Sequence, residues 1–212
     1  MGTYRKGILG SFSGKVGTVV GSSWNGIDYM RSLPRPSSKA PTDLQLIQRV
    51  KMTLATGFLQ PISALVNVGY KSLAVKKSGF NVATAQVITE AITGVYPDLL
   101  IDYSKVLISK GNLTTPWNPE ASSINGILTV NWEDNSSSGT AKPTDKAVLL
   151  VYNPVQSQYV FALDGDARSL GSDSLVLPTN FVDDTVHVWM AFYAADKKTI
   201  STSLYVGEIV VA

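Results

Sequence analysis

The stretch Ser13–Pro34, "SGKVGTVVGSSWNGIDYMRSLP", admits two readings with opposite consequences. Its Gly14-Lys15 pair suggests a loop that cradles a phosphate, whereas its two β-rich runs around Asn25-Gly26 suggest a hairpin. A phosphate loop of the Walker type needs a glycine five residues before the Gly-Lys pair and a Ser or Thr after the lysine. Here position 9 is Leu9 and the residue after Lys15 is Val16, so the magnesium-binding hydroxyl is missing. No G-x-G-x-x-G occurs either, which removes the dinucleotide fingerprint. Asn-Gly between alternating β-branched runs matches the two positive-φ positions of a tight type I′ turn. The sequence therefore predicts a hairpin, Lys15–Trp24 paired with Ile27–Leu33. Gly14, Gly17 and Gly21 thin its first strand, which weakens it unless another backbone or a large side chain packs close there.

Outward from the hairpin, "PRPSSKAPTD" reads as an extended proline and serine connector. Thr42-x-x-Gln45 has capping-box spacing, and Ile47, Val50, Leu54 and Phe58 recur at helical intervals, which predicts a helix over about 42–57 with Gly57 at its end. Pro61 is placed to open a second helix carrying Leu65, Val66, Gly69 and Leu73, and Asn81 to cap a third through about Ile92, with Gly94 as its stop. From Leu100 the period changes to two. Strands are expected at 100–113, 126–133, 146–153, 158–163, 174–177, 185–193 and 202–211, a spacing that indicates an antiparallel sandwich. The expected architecture is α+β: an N-terminal β-hairpin and three-helix region over 1–97, followed by an antiparallel Ig/fibronectin III-like β-sandwich over 98–212.

The 212 residues are 44% apolar, ample for a core, and contain no cysteine and one histidine, His187. Disulfide frameworks, thiolate chemistry and multi-histidine zinc sites are thereby excluded, and no cofactor is implied. No signal-like leader and no apolar run of membrane-spanning length is evident, so the chain reads as soluble and as cytoplasmic or virion-associated. Its net charge of +2 hides an asymmetry: residues 1–89 carry 11 Lys and Arg against Asp28 and Asp43, and residues 90–212 carry 7 against 14 acids. Two halves that attract one another, within or between subunits, account for this better than a nucleic-acid surface, because no stretch interleaves aromatics with Lys and Arg.

Candidate chemical sites are sparse. Asp164-Gly165-Asp166 resembles the start of a calcium loop, but Arg168 occupies the fifth, ligating position, so a solvated turn is expected. Asp183-Asp184, and Asp98 with Asp102, offer paired carboxylates for hydrolysis as a minor alternative. His187 sits in "DTVHVWMAFY", where Val186, Val188, Met190 and Phe192 share one face, and no G-x-S-x-G elbow accompanies it. Trp132 and Trp189 read as sandwich core, Trp117 as a plug between the halves, and Trp24 and Tyr29 as a cross-hairpin pair or a cover for a neighbour. The expected interaction surface comprises Lys15, Trp24, Tyr29, Arg31 and Arg35.

Two resemblances follow from these motifs. "GILTVNWEDN" and "DTVHVWMAFYAADKKTISTSLYVG" are similar to the second and the last two strands of a fibronectin type III domain, although Val186 or His187 stands where that fold places its corner tyrosine. "GKVGTVVGSSWNGIDYMRSLP", "TDLQLIQRVKMTLATGFLQPI" and "YPDLLIDYSKVLISKGNL" resemble a domain-of-unknown-function family abundant in Bacteroidetes, which implies no activity. The leading expectation is a non-enzymatic structural or interaction protein that self-associates or docks through its N-terminal hairpin, as a surface or phage-like assembly component would. A polyanion- or glycan-binding module is the alternative, and no membrane span is expected.

Overall fold

The structure, a computed structural model, describes residues 2–4, 10–24, 26–36 and 39–212. The chain forms two compact units, residues 1–43 and 44–212. Helical elements give way to strands at Ile92, and compaction divides the chain at Asp43/Leu44.

The first unit is an antiparallel sheet of β1 (Thr3–Tyr4), β2 (Phe12–Val16), β3 (Val19–Trp24) and β4 (Ile27–Ser32), in that spatial order. The run Lys15–Trp24, expected as one strand, is broken by a tight turn at Gly17-Thr18. Gly17 has φ 58°, and Val16 pairs with Val19 across the turn. The next reversal lies between the paired residues Trp24 and Ile27, with Gly26 at φ 81°. Asn25, the other half of the expected dipeptide turn, lies outside the described residues. Gly21 fits where a large side chain packs: a Cβ there would collide with the Phe12 carbonyl and ring.

The second unit begins with α1 (Asp43–Leu59), which runs two residues past Gly57, then α2 (Ser63–Gly69) and α3 (Gly79–Gln86), continued by a π-turn over Val87–Ala91. The cap of α3 is Ser78, whose Oγ accepts from the Asn81 N–H at 3.2 Å; Asn81 is the donor. A small hairpin follows, β5 (Ile92–Val95) with β6 (Asp98–Ile101). The strand expected over 100–113 stops at Ile101, because Asp102 accepts from the backbone N–H of Ser104 and turns the chain into a 3₁₀ segment, Tyr103–Lys105. Beyond it, Val106 and Ile108 are buried in an irregular segment tied down by Ile108 N–H to Ser203 Oγ (2.9 Å) and Ser109 Oγ to Ser201 O (2.8 Å).

The sandwich has seven strands: β7 (Trp117–Ile124), β8 (Ile127–Glu133), β9 (Lys146–Asn153), β10 (Gln158–Ala162), β11 (Ser172–Val176), β12 (Thr185–Tyr193) and β13 (Leu204–Val210). One sheet has the order β10-β9-β12-β13 and the other β11-β8-β7. This is the expected Ig/fibronectin III-like division, except that the first strand is Trp117–Ile124. Trp117 is 47% exposed at the start of β7 and plugs nothing.

Both faces of β9 and β12 are buried. Val186, Val188, Met190 and Phe192 point between the sheets with Leu149, Val151, Leu128 and Trp132. Trp189 and Ala191 point the other way, with Val148, Leu150 and Tyr152, against Phe58, Leu59, Leu65 and Val66 of the helices. Trp189 is thus core as expected, but in the helix–sheet layer rather than between the sheets, and its Nε1 donates to Val106 O at 3.0 Å. Its truncation to alanine should cost about 3–5 kcal/mol. Urea denaturation of W189A checks this, and the loss should exceed that of W117A several-fold.

Candidate functional site

Strand register decides which of the expected interaction residues meet. Lys15 pairs with Val20 and Val20 with Arg31; Ser22 pairs with Tyr29; Trp24 pairs with Ile27. Residues directly opposite one another project from the same face, and so do residues two apart along a strand. Lys15, Trp24, Tyr29 and Arg31 therefore share one face with Val20 and Ile27. Trp24 and Tyr29 each face a different residue across the hairpin and are not opposite partners. Arg35 lies beyond β4 and lines an open cleft of about 920 Å³ with Val19, Met30, Leu33 and Pro34.

Every residue of β4 is exposed, including Met30 (71%), Ile27 (64%) and Tyr29 (45%), and Trp24 beside it is 59% exposed. Among the described residues of 1–43, Gly21 is the only buried one, so none of the described side chains of this sheet is buried. β4 is also its terminal strand.

Asp102, Asp164, Asp184 and His187 among the candidates each have a hydrogen-bond or ion-pair partner, and Arg168, beside the Asp164-Gly165-Asp166 turn, has several. Arg168 is wholly buried. Its guanidinium donates to Asp145 Oδ2 (3.2 Å), Asn135 Oδ1 and Thr114 O (2.9 Å), and lies 3.7 Å from the centre of the Phe192 ring. Desolvation lowers its pKa, partly offset by Asp145. Asp164 pairs with Lys197 at 2.9 Å, and Asp184 accepts from Asn153 at 2.8 Å. Asp102 is held by Ser104 and Lys105, which keep its carboxyl below the usual range. Among the described residues no group of three or more His, Asp or Glu is placed to hold a metal.

Sequence reasoning missed a tyrosine-lined groove of about 290 Å³, where Tyr103, Tyr152 and Tyr159 open beside Phe58 and Pro61. Tyr152 and Tyr159 stack at 4.5 Å, and burial raises the pKa of Tyr103 and Tyr159. The available signal was the pair of tyrosines flanking the "NPVQS" turn. His187 lies next to this cluster, its ring 4.3 Å from that of Tyr103 and its Nδ1 2.8 Å from the Tyr205 hydroxyl. Tyr205 is itself pushed up to about 12, mainly by burial.

Residues 11–207 match DUF6266, a family of unknown function, and the chain belongs to that family. No match is found among curated proteins. Among solved structures the chain is similar to the fibronectin type III domain of human collagen alpha-1(XX) chain. That likeness has 14% identity and a TM-score of 0.33, and it covers 48% of this chain and 87% of that domain. No helix among the described residues is long and apolar enough to cross a membrane.

Removing the buried arginine partner leaves the Asp145 carboxylate uncompensated, so R168M should cost about 3–5 kcal/mol and the double variant D145N/R168M should recover part of it. Urea titration of both checks this. Burial lowers the His187 pKa from its ordinary 6.5, with Glu208 at 3.8 Å opposing the shift. The unfolded chain then protonates His187 before the folded one does. The stability from keeping this ring neutral is complete well above pH 6.5 and declines as pH falls through 6.5 toward the lower folded value. H187Q should flatten that limb of the stability profile.

Proposed function

We propose that the protein is a non-enzymatic assembly or adhesive interaction component that self-associates through its N-terminal sheet. The observation that carries this reading is a four-stranded sheet in which no described side chain is buried, whose terminal strand exposes Ile27, Tyr29 and Met30 beside Trp24. Fully burying a large apolar side chain contributes about 1.5–3 kcal/mol. A partner surface supplies that burial where the sheet itself does not. Membership of a surface or phage-like assembly is the setting this chemistry suits.

A second reading is supported by the shared face itself. The row Lys15–Val20–Arg31 lies next to Tyr29 and Trp24, which joins cationic and aromatic groups as a polyanion or glycan site requires.

Sedimentation velocity over a wide concentration range tests the first reading. Mass should rise with concentration, and the double substitution W24S/I27S should weaken association at least tenfold. A strict monomer near millimolar concentration ends it. Titration with DNA and with an anionic polysaccharide at low and high salt tests the second: binding should fall steeply with salt and should weaken in K15E/R31E. Absence of binding at low ionic strength eliminates it.

A further inference from the structure

We propose that the tyrosine-lined groove of the second unit binds an uncharged, proline-rich segment of another protein in the polyproline II conformation. The inference is independent of the readings above, which concern the N-terminal sheet.

One glycine on the wall of the groove carries the argument. Gly57 lies within α1, two residues before its end, so it does not stop the helix. The other helical glycines are explained by packing. A Cβ on Gly69 would strike the Ile108 carbonyl, and one on Gly79 would come within 2.8 Å of Asn67 Cα. A Cβ on Gly57 would meet nothing within 4 Å. Glycine inside a helix is destabilising relative to alanine, and here no described neighbour requires it. Its effect is to leave bare helix backbone on the groove, where a ligand can approach closely.

The chemistry of the lining selects the ligand. Phe58 is buried against Tyr103, Tyr152 and Tyr159, with ring centroids 5.2–5.8 Å apart, and Pro61 lies beside them. The Tyr152 hydroxyl engages those of both Tyr103 and Tyr159. Three hydroxyls hold three protons and two mutual bonds use two, so one is left to donate to an acceptor brought from outside. Burial raises the pKa of Tyr103 and Tyr159, which keeps these phenols protonated at neutral pH. Thr53 adds no donor, because its Oγ1 already donates to Arg49 O at 2.9 Å. Among the described residues no carboxylate, amide or cationic side chain lines the groove.

This set suits a ligand with apolar rings, acceptors and few donors. A polyproline II helix makes no internal hydrogen bonds, so its carbonyls are free to accept, and each proline removes an N–H. Proline-rich segments dock in aromatic-lined grooves at low entropic cost, because they are extended before they bind. A sugar fits less well: each of its hydroxyls brings a proton, and the lining offers no carboxylate or amide to receive it. A charged peptide would lose solvation there with no counter-charge in return.

The test is a titration of the full-length, isotope-labelled protein with end-capped octaproline, followed by amide shifts in NMR. A glycine-serine peptide of equal length and cellohexaose are titrated in parallel. Saturable shifts from octaproline, centred on Thr53, Gly57, Tyr103 and Tyr159 and absent with the other two probes, are the expected result. G57L fills the groove from a position where a side chain meets open space, so its melting temperature should equal or exceed that of the parent while octaproline affinity falls at least tenfold. Y159F, which keeps the ring and removes one hydroxyl, should weaken binding severalfold. The proposal is overturned by the lack of a saturable octaproline shift, by shifts centred elsewhere, or by cellohexaose or the glycine-serine peptide binding as tightly. It is equally overturned by an affinity that a folded G57L leaves unchanged or, should G57L not fold, one that Y159F leaves unchanged.

Discussion

Two strands, β9 and β12, are buried on both faces, and the second unit is organised around that fact. "AVLLVY" and "VHVWMAFY" expose almost nothing, so each strand serves two cores, one between the sheets and one under the helices. The helices are held to the sandwich by the second of these cores. Phe58 at the end of α1 meets Tyr152, Tyr159 and Trp189 with ring centroids 5.2–6.1 Å apart, spacings at which edge-to-face aromatic contacts are favourable.

Burial on that scale obliges polar groups to find partners inside. Trp189 Nε1 reaches Val106 O, His187 reaches Tyr205, and Trp132 Nε1 donates to Arg168 O at 2.8 Å. Arg168 joins the loops before β7, after β8, before β9 and before β11 through one guanidinium. It trades desolvation for an ion pair, two further hydrogen bonds and a ring contact. Such a node contributes more to holding one arrangement of loops than to net stability.

The first unit follows the opposite logic. Its glycines let Phe12 cover Gly21 and let the chain turn at Gly17 and Gly26, but no described side chain is fully buried. The consequence is a surface rather than a core. Which of its residues share a face follows from pairing, because residues directly opposite in a hairpin, and residues two apart on one strand, project from the same face whatever the surroundings. Lys15, Trp24, Tyr29 and Arg31 were brought together by register alone, while Arg35, past the end of β4, was not. The turn at Gly17-Thr18 was harder to see, since Val16 and Val19 continue the β-branched pattern across it.

Alternation determined β8, β9, β10, β12 and most of β11 and β13 from the sequence alone, and helical spacing determined α1, because periodicity is a local property of the chain. β7 escaped, for "WNPEASSI" has too few apolar residues to signal a strand and is ordered by its pairing with β8. The segment 106–113 was misread for the converse reason: its apolar residues mimic a strand, but their burial is satisfied in an irregular path. Which face of β12 meets the helices, that Trp189 belongs to that layer, and that Arg168 of an apparently solvated turn lies at the centre of the loops were decided only by the tertiary structure. A side chain's burial depends on distant segments that arrive to cover it, and no local pattern records their arrival.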